Sequence, residues 1–146
     1  MVVVLKLRKQ RNKYLTVKAN EDNNIILDTS NITSTTTFVN YDDEGIIIQF
    51  ILVRETDNKV RIALNTCQVC NPSPKAYLIQ EGEYLVCQSY GTKFHINKIG
   101  IEKGGCNPTP VEEKQEEDNK IIISKDYIDT FKSKFKNLKE KLNRKV

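Results

Sequence analysis

From residue 23 onward the chain alternates short apolar runs with polar breaks. Ile25-Ile26-Leu27 is the first run, and residues 35–41, rich in Thr, Phe and Val, are the second. The stretch 45–54 (Gly-Ile-Ile-Ile-Gln-Phe-Ile-Leu-Val-Arg) is continuous and β-branched, which predicts a strand buried on both faces. The polar tetrad Glu55-Thr56-Asp57-Asn58 predicts a turn, and residues 60–64 return as its antiparallel partner. Residues 65–110 are crowded with Gly, Asn-Pro and Ser-Pro turns, leaving room for short strands at 76–80, 84–87 and 92–96. Residues 112–120 read as a charged loop with no core-forming side chain, and Ile121-Ile122-Ile123 as a closing strand.

Ser124 then has the character of a helix N-cap, with Asp126 in the first turn. Ile128, Phe131, Phe135, Leu138 and Leu142 follow at spacings of 3, 4, 3 and 4. That pattern predicts an amphipathic helix over 125–143 with a Lys-rich outer face, packed on the sheet or lent to a membrane surface or a partner. The expected fold class is α+β. A mostly antiparallel sheet (23–64) leads into a cysteine-rich β/loop module (65–110), and the last strand and the helix cover one face. A basic tail (1–20) precedes a single domain (21–146).

Charge sharpens the picture. The net charge of +4 is uneven: residues 1–20 carry six Lys/Arg and no acid, and residues 125–146 carry eight Lys/Arg against three acids. The middle is acidic, with nine basic and sixteen acidic residues. The basic ends suit solvent, an anionic membrane surface or an acidic partner; nucleic acid is not an expected partner. No apolar run approaches the roughly 20 residues of a membrane helix, so the chain as given reads as a soluble domain. The apolar stretch before Lys6 is also shorter than the roughly 7–15 residues of a signal-peptide core. A single His excludes a multi-histidine metal or catalytic centre within this chain.

The chemistry concentrates in four cysteines, spaced Cys67-x2-Cys70-x16-Cys87-x18-Cys106, each beside turn residues. Such turns bring thiolates together and let backbone N–H groups point at sulfur. One reading is a four-thiolate site holding zinc, copper(I) or an iron–sulfur cluster. A second is two disulfides, for which four cysteines allow three pairings. A third is a redox-active Cys67–Cys70 pair, although Pro72 and Pro74 argue against the long following helix that such a pair normally uses. Cys70 is followed by Asn71 rather than His, which argues against covalent haem attachment. Among the neighbours, His95 is the sole candidate imidazole ligand; its structural alternative is a surface or hydrogen-bonded histidine. Gly104 and Gly105 would let backbone approach a bound centre. No catalytic triad or phosphate-binding glycine loop is present, and the acidic residues 112–118 lack the spacing of a calcium loop. A binding or electron-transfer module fits better than an enzyme.

The stretch from Ala63 through Cys67-Gln68-Val69-Cys70, then Tyr84-Leu85-Val86-Cys87-Gln88-Ser89-Tyr90-Gly91, and finally Gly104-Gly105-Cys106-Asn107-Pro108, resembles the FtrD-like family of membrane iron–sulfur proteins. The resemblance runs roughly from Asn23 to Leu138. It implies an extracytoplasmic, membrane-tethered domain that binds a metal or cluster through cysteine, with an iron-transport or redox partner in the membrane. It implies Cys67, Cys70, Cys87 and Cys106 as ligands, with an iron–sulfur cluster as the leading cofactor. The sequence departs from the family pattern at Tyr90, which stands where a fifth cysteine is expected and is either a lost ligand or a phenolate ligand for a hard ion. The expected membrane anchor is also missing, and Val2 to Leu5 would be its remnant in a trimmed chain. The alternative class is a structural or interaction domain, held by a zinc knot or disulfides and working through its basic C-terminal helix.

Overall fold

The computed structural model describes residues 15–71, 73–101 and 107–138. The strands are β1 (Leu15–Val17), β2 (Asn24–Asp28), β3 (Thr37–Asp43), β4 (Ile46–Arg54), β5 (Val60–Cys67), β6 (Leu78–Glu81), β7 (Tyr84–Cys87), β8 (Lys93–His95), β9 (Pro108–Pro110), β10 (Gln115–Glu117) and β11 (Lys120–Ser124). They form a five-stranded sheet in the order β1-β3-β4-β5-β9 and two three-stranded sheets, β10-β11-β2 and β6-β7-β8. All described pairings are antiparallel except β1 with β3.

β4 is the centre because its sequence leaves it no solvent-facing side. Residues 47–53 are all buried, and Ile48, Phe50, Ile51, Leu52 and Val53 expose nothing. Each large apolar side chain so buried contributes about 1.5–3 kcal/mol. β3 joins β4 through a two-residue loop in which Glu44 (φ 52°) and Gly45 (φ 89°) are both left-handed, the geometry whose twist matches antiparallel strands. Ile25, Leu27, Ile121 and Ile123 bring the β10-β11-β2 sheet onto the same core, and Leu78, Leu85 and Phe94 bring β6-β7-β8.

The predominantly antiparallel β architecture matches the pattern reading, but four local expectations are corrected. The tail expected over 1–20 contains a strand: residues 15–17 pair in parallel with Val39–Tyr41, while residues 1–14 lie outside the described part. The charged loop expected at 112–120 contains β10, whose three residues are all exposed. An antiparallel edge needs only backbone pairing with β11, so core-forming side chains are not required of it. Residues 108–110 add β9, a strand that its two prolines concealed; it lies at the sheet edge, where a missing N–H is tolerated.

The fourth correction concerns the continuous helix expected over 125–143. The chain instead forms a short helix, α1 (Lys125–Asp129), and then a 3₁₀ segment, Lys132–Leu138; residues 139–143 lie outside the described part. Ser124 occupies the N-cap position without a side-chain capping bond. Tertiary anchors outweigh helical periodicity here. Thr130 turns its Oγ1 and its N–H back onto Tyr127 O, Asn71 Nδ2 captures the Lys134 carbonyl at 2.9 Å, and Lys132 Nζ is drawn to Asp43 Oδ2 at 2.9 Å. Ile128 and Phe135 are both fully buried and Phe131 packs against the core, so these three members of the apolar stripe do face inward, but from two separate pieces.

Asp43 ends β3 with only 7% of its surface exposed, between Lys132 and Lys125, which in turn binds Asp129 at 2.6 Å. The Lys132 hydrogen bond holds the Asp43 carboxyl below its ordinary range, and the Lys125 and Lys132 ammoniums are raised by their carboxylate partners. Burial, and then the Asp43 charge, push the Tyr41 phenol up to about 12. A carboxyl with a depressed folded pKa stabilises the fold above its unfolded pKa of about 3.9 and loses that contribution as pH falls through the folded value. Asp43→Asn is therefore expected to cost on the order of 1–3 kcal/mol near neutral pH. The gap to wild type should narrow below about pH 4, as measured by denaturant unfolding across pH.

Candidate metal centre

The centre is assembled from two turns at strand ends. The first follows β5: Cys67 closes the strand, and Gln68, Val69 and Cys70 turn, with Asn71 N–H donating to Cys67 O at 3.3 Å and Ser73 N–H to Cys70 O at 2.8 Å. The second follows β7: Cys87 ends the strand and Gln88, Ser89 and Tyr90 turn. Gly91 sits at φ 74° and donates its N–H to Cys87 O at 2.7 Å, a left-handed position that suits glycine. The hydroxyls of Ser89 and Ser73 meet at 3.4 Å, joining the two turns.

A buried polar ladder holds the turns in register. Asn40 Oδ1 accepts from Gln49 Nε2 at 2.8 Å, and Gln49 Oε1 accepts from Asn65 Nδ2 at 2.7 Å. Asn65 then grips the backbone of Leu78: its Oδ1 accepts from the N–H at 2.8 Å and its Nδ2 donates to the carbonyl at 3.1 Å. Its amide thus does for β6 what a neighbouring strand would do. Cys67 N–H donates to Ala76 O and Gln88 N–H to Tyr77 O, both at 2.9 Å, and Cys87 lies directly across the β6–β7 ladder from Leu78. A register shift between Leu64 and Cys67 against β9 marks a bulge at the end of β5, of the kind that re-aims side chains beside sites.

The outcome is a trio of buried sulfurs. Cys67 Sγ lies 3.2 Å from Cys70 Sγ, and Cys70 Sγ lies 3.4 Å from Cys87 Sγ; all three fall within 4.8 Å of one another. Neither separation is a covalent disulfide, whose sulfurs stand about 2.05 Å apart. Cys67 and Cys87 are fully buried and Cys70 is 6% exposed. Thiolates are soft donors, and three at one point form a group able to hold a metal ion.

The other candidates are placed differently. Tyr90 occupies the position in the second turn that Cys70 holds in the first, but its side chain is 76% exposed. His95 pairs across β7–β8 with Tyr84, three residues along the strand from Cys87, or about 10 Å at strand rise. Its Nδ1 accepts from Asn97 N–H at 3.1 Å and caps the 3₁₀ turn Ile96–Lys98. Cys106, Gly104 and Gly105 lie outside the described residues. Their neighbour Asn107 accepts from Gln68 N–H at 3.0 Å, and Pro108 registers with Cys67, so the backbone after Cys106 is fixed to the first turn. Sequence reasoning missed Asn65, Gln49 and Asn71. For Asn65 and Gln49 the available signal was a polar amide inside an otherwise apolar strand, a position tolerated only when its polar atoms are bonded; Asn71, in the turn after Cys70, carried no such signal.

A family model described as membrane iron–sulfur containing protein FtrD-like matches residues 32–135. No curated protein matches the chain. Among the described residues, no helix is long and apolar enough to cross a membrane.

The ladder makes a direct prediction. Asn65→Leu strands the Gln49 amide and both Leu78 backbone groups, and should cost about 3 kcal/mol. In the reduced protein, alkylation of Cys67 and Cys87 should accelerate accordingly, as read by peptide mass spectrometry.

Proposed function

The chain belongs to the FtrD-like family of membrane iron–sulfur proteins, and from that premise we propose that it is a metal-binding module whose thiolates hold iron for electron transfer or metal handling beside a membrane-bound iron-transport partner. The buried Cys67–Cys70–Cys87 trio carries this reading. Cys106 would complete the four-thiolate set, supported by the attachment of Asn107 to Gln68. Burial would exclude water from the ligands, and the turns would set their directions before a metal arrives.

No catalytic role is needed. Val69, 58% exposed, and Tyr90 present apolar surface from the same two turns that carry the thiols, which suits brief contact with a partner. The family description supports a membrane setting, and we place the domain outside the cytoplasm, where an anchor would hold it against the bilayer.

One observation favours a second reading. Cys67 belongs to the five-stranded sheet and Cys87 to the β6-β7-β8 sheet, so any metal there also staples two sheets together. A structural zinc would do this equally well.

Spectroscopy on protein purified without oxygen separates the two. Thiolate-to-iron absorption that bleaches on reduction and returns on reoxidation is expected, and Cys70→Ser should weaken metal retention by at least about 10-fold. A colourless protein carrying zinc would move the site to the structural reading.

A further inference from the structure

The spacing of the three sulfurs discriminates between a cluster and a lone ion. A tetrahedral ion with thiolates at about 2.3 Å places each pair of sulfurs about 3.8 Å apart. The separations of 3.2 Å and 3.4 Å fall just inside that edge length, and the third is at most 4.8 Å. Three points so spaced lie on a circle of radius no greater than about 2.4 Å, so one ion with bonds of about 2.3 Å reaches every sulfur with little movement.

An iron–sulfur cluster asks for a different layout. Thiolates on different irons splay outward from a sulfide-bridged core, and with bonds of about 2.3 Å their sulfurs stand on the order of 6 Å apart. In a four-iron cluster each thiolate takes its own iron, so every pair would be that wide. In a four-cysteine two-iron cluster the ligands divide two and two, so of any three at least one serves the other iron. The compact trio fits neither arrangement. Opening it would also mean shifting two turns fixed by the Cys67–Ala76, Gln88–Tyr77 and Asn65–Leu78 hydrogen bonds.

We propose that Cys67, Cys70 and Cys87 bind a single metal ion, without inorganic sulfide, so that this chain departs from the cluster chemistry in its family's description. The inference rests on the thiolate-metal reading above and specifies its nuclearity.

The test is metal and sulfide stoichiometry on the full chain purified without oxygen. The expected result is about one iron or zinc per chain with no acid-labile sulfide. X-ray absorption at that metal's edge should then show a sulfur shell at about 2.3 Å and no neighbouring metal. Two or four irons with matching sulfide would overturn the single-ion inference while leaving the metal-binding reading intact. Protein that retains no metal and takes up neither iron nor zinc under reducing conditions would overturn both.

Discussion

The side-chain amide of Asn65 is the interaction on which the rest of this structure depends. It sits fully inside the protein, between the strand that delivers Cys67 and the strand pair that delivers Cys87. Three hydrogen bonds, two to Leu78 and one to Gln49, satisfy it. Without them a buried primary amide would be strongly unfavourable, and with them it permits one register of β6 against β5. An apolar side chain at this position would pack acceptably in several registers. The polar one does not, and for that reason the sulfurs converge.

The site is thereby largely preorganised. Bringing thiols together from two sheets carries an ordering cost that the hydrophobic core and the ladder meet before any metal binds. A bound ion would return stability to the fold by linkage, since it recognises only the folded arrangement. The two roles open to the site, stapling the sheets and doing redox chemistry, are therefore not energetically opposed. The identity of the ion separates them, because zinc has no redox chemistry and iron does.

A second support links the first turn to the C-terminal segment. Asn71, directly after Cys70, donates to Thr66 Oγ1 at 2.5 Å and to the Lys134 carbonyl at 2.9 Å, tying the first turn to the C-terminal segment. That segment is held in turn by the Lys132–Asp43 ion pair at the end of β3 and by Phe135 in the core. The basic C-terminus thus has an internal function besides its charge. Two of its lysines serve buried or half-buried carboxylates, and its Ile128 and Phe135 are buried in the core.

Much of this was legible in the chain itself. β4 and its hairpins follow from local patterning, because β-branched runs and turn residues act over a few positions. The cysteines announced a site because Cys-x-x-Cys beside tight turns is a short-range signal. The helix over 125–143 was misread because its periodicity is real but its backbone answers to Asp43 and Asn71, partners about 60–90 positions away in sequence. β1 and β10 were missed because edge strands need only backbone pairing, which leaves little trace in side-chain pattern, and β9 because its two prolines read as a turn. Sequence alone determined which residues could bind a metal. Only the tertiary structure decided that Cys67, Cys70 and Cys87 meet within 4.8 Å while Tyr90 and His95 stay apart from them, because that geometry is set by a buried amide network between strands rather than by the spacing of the cysteines.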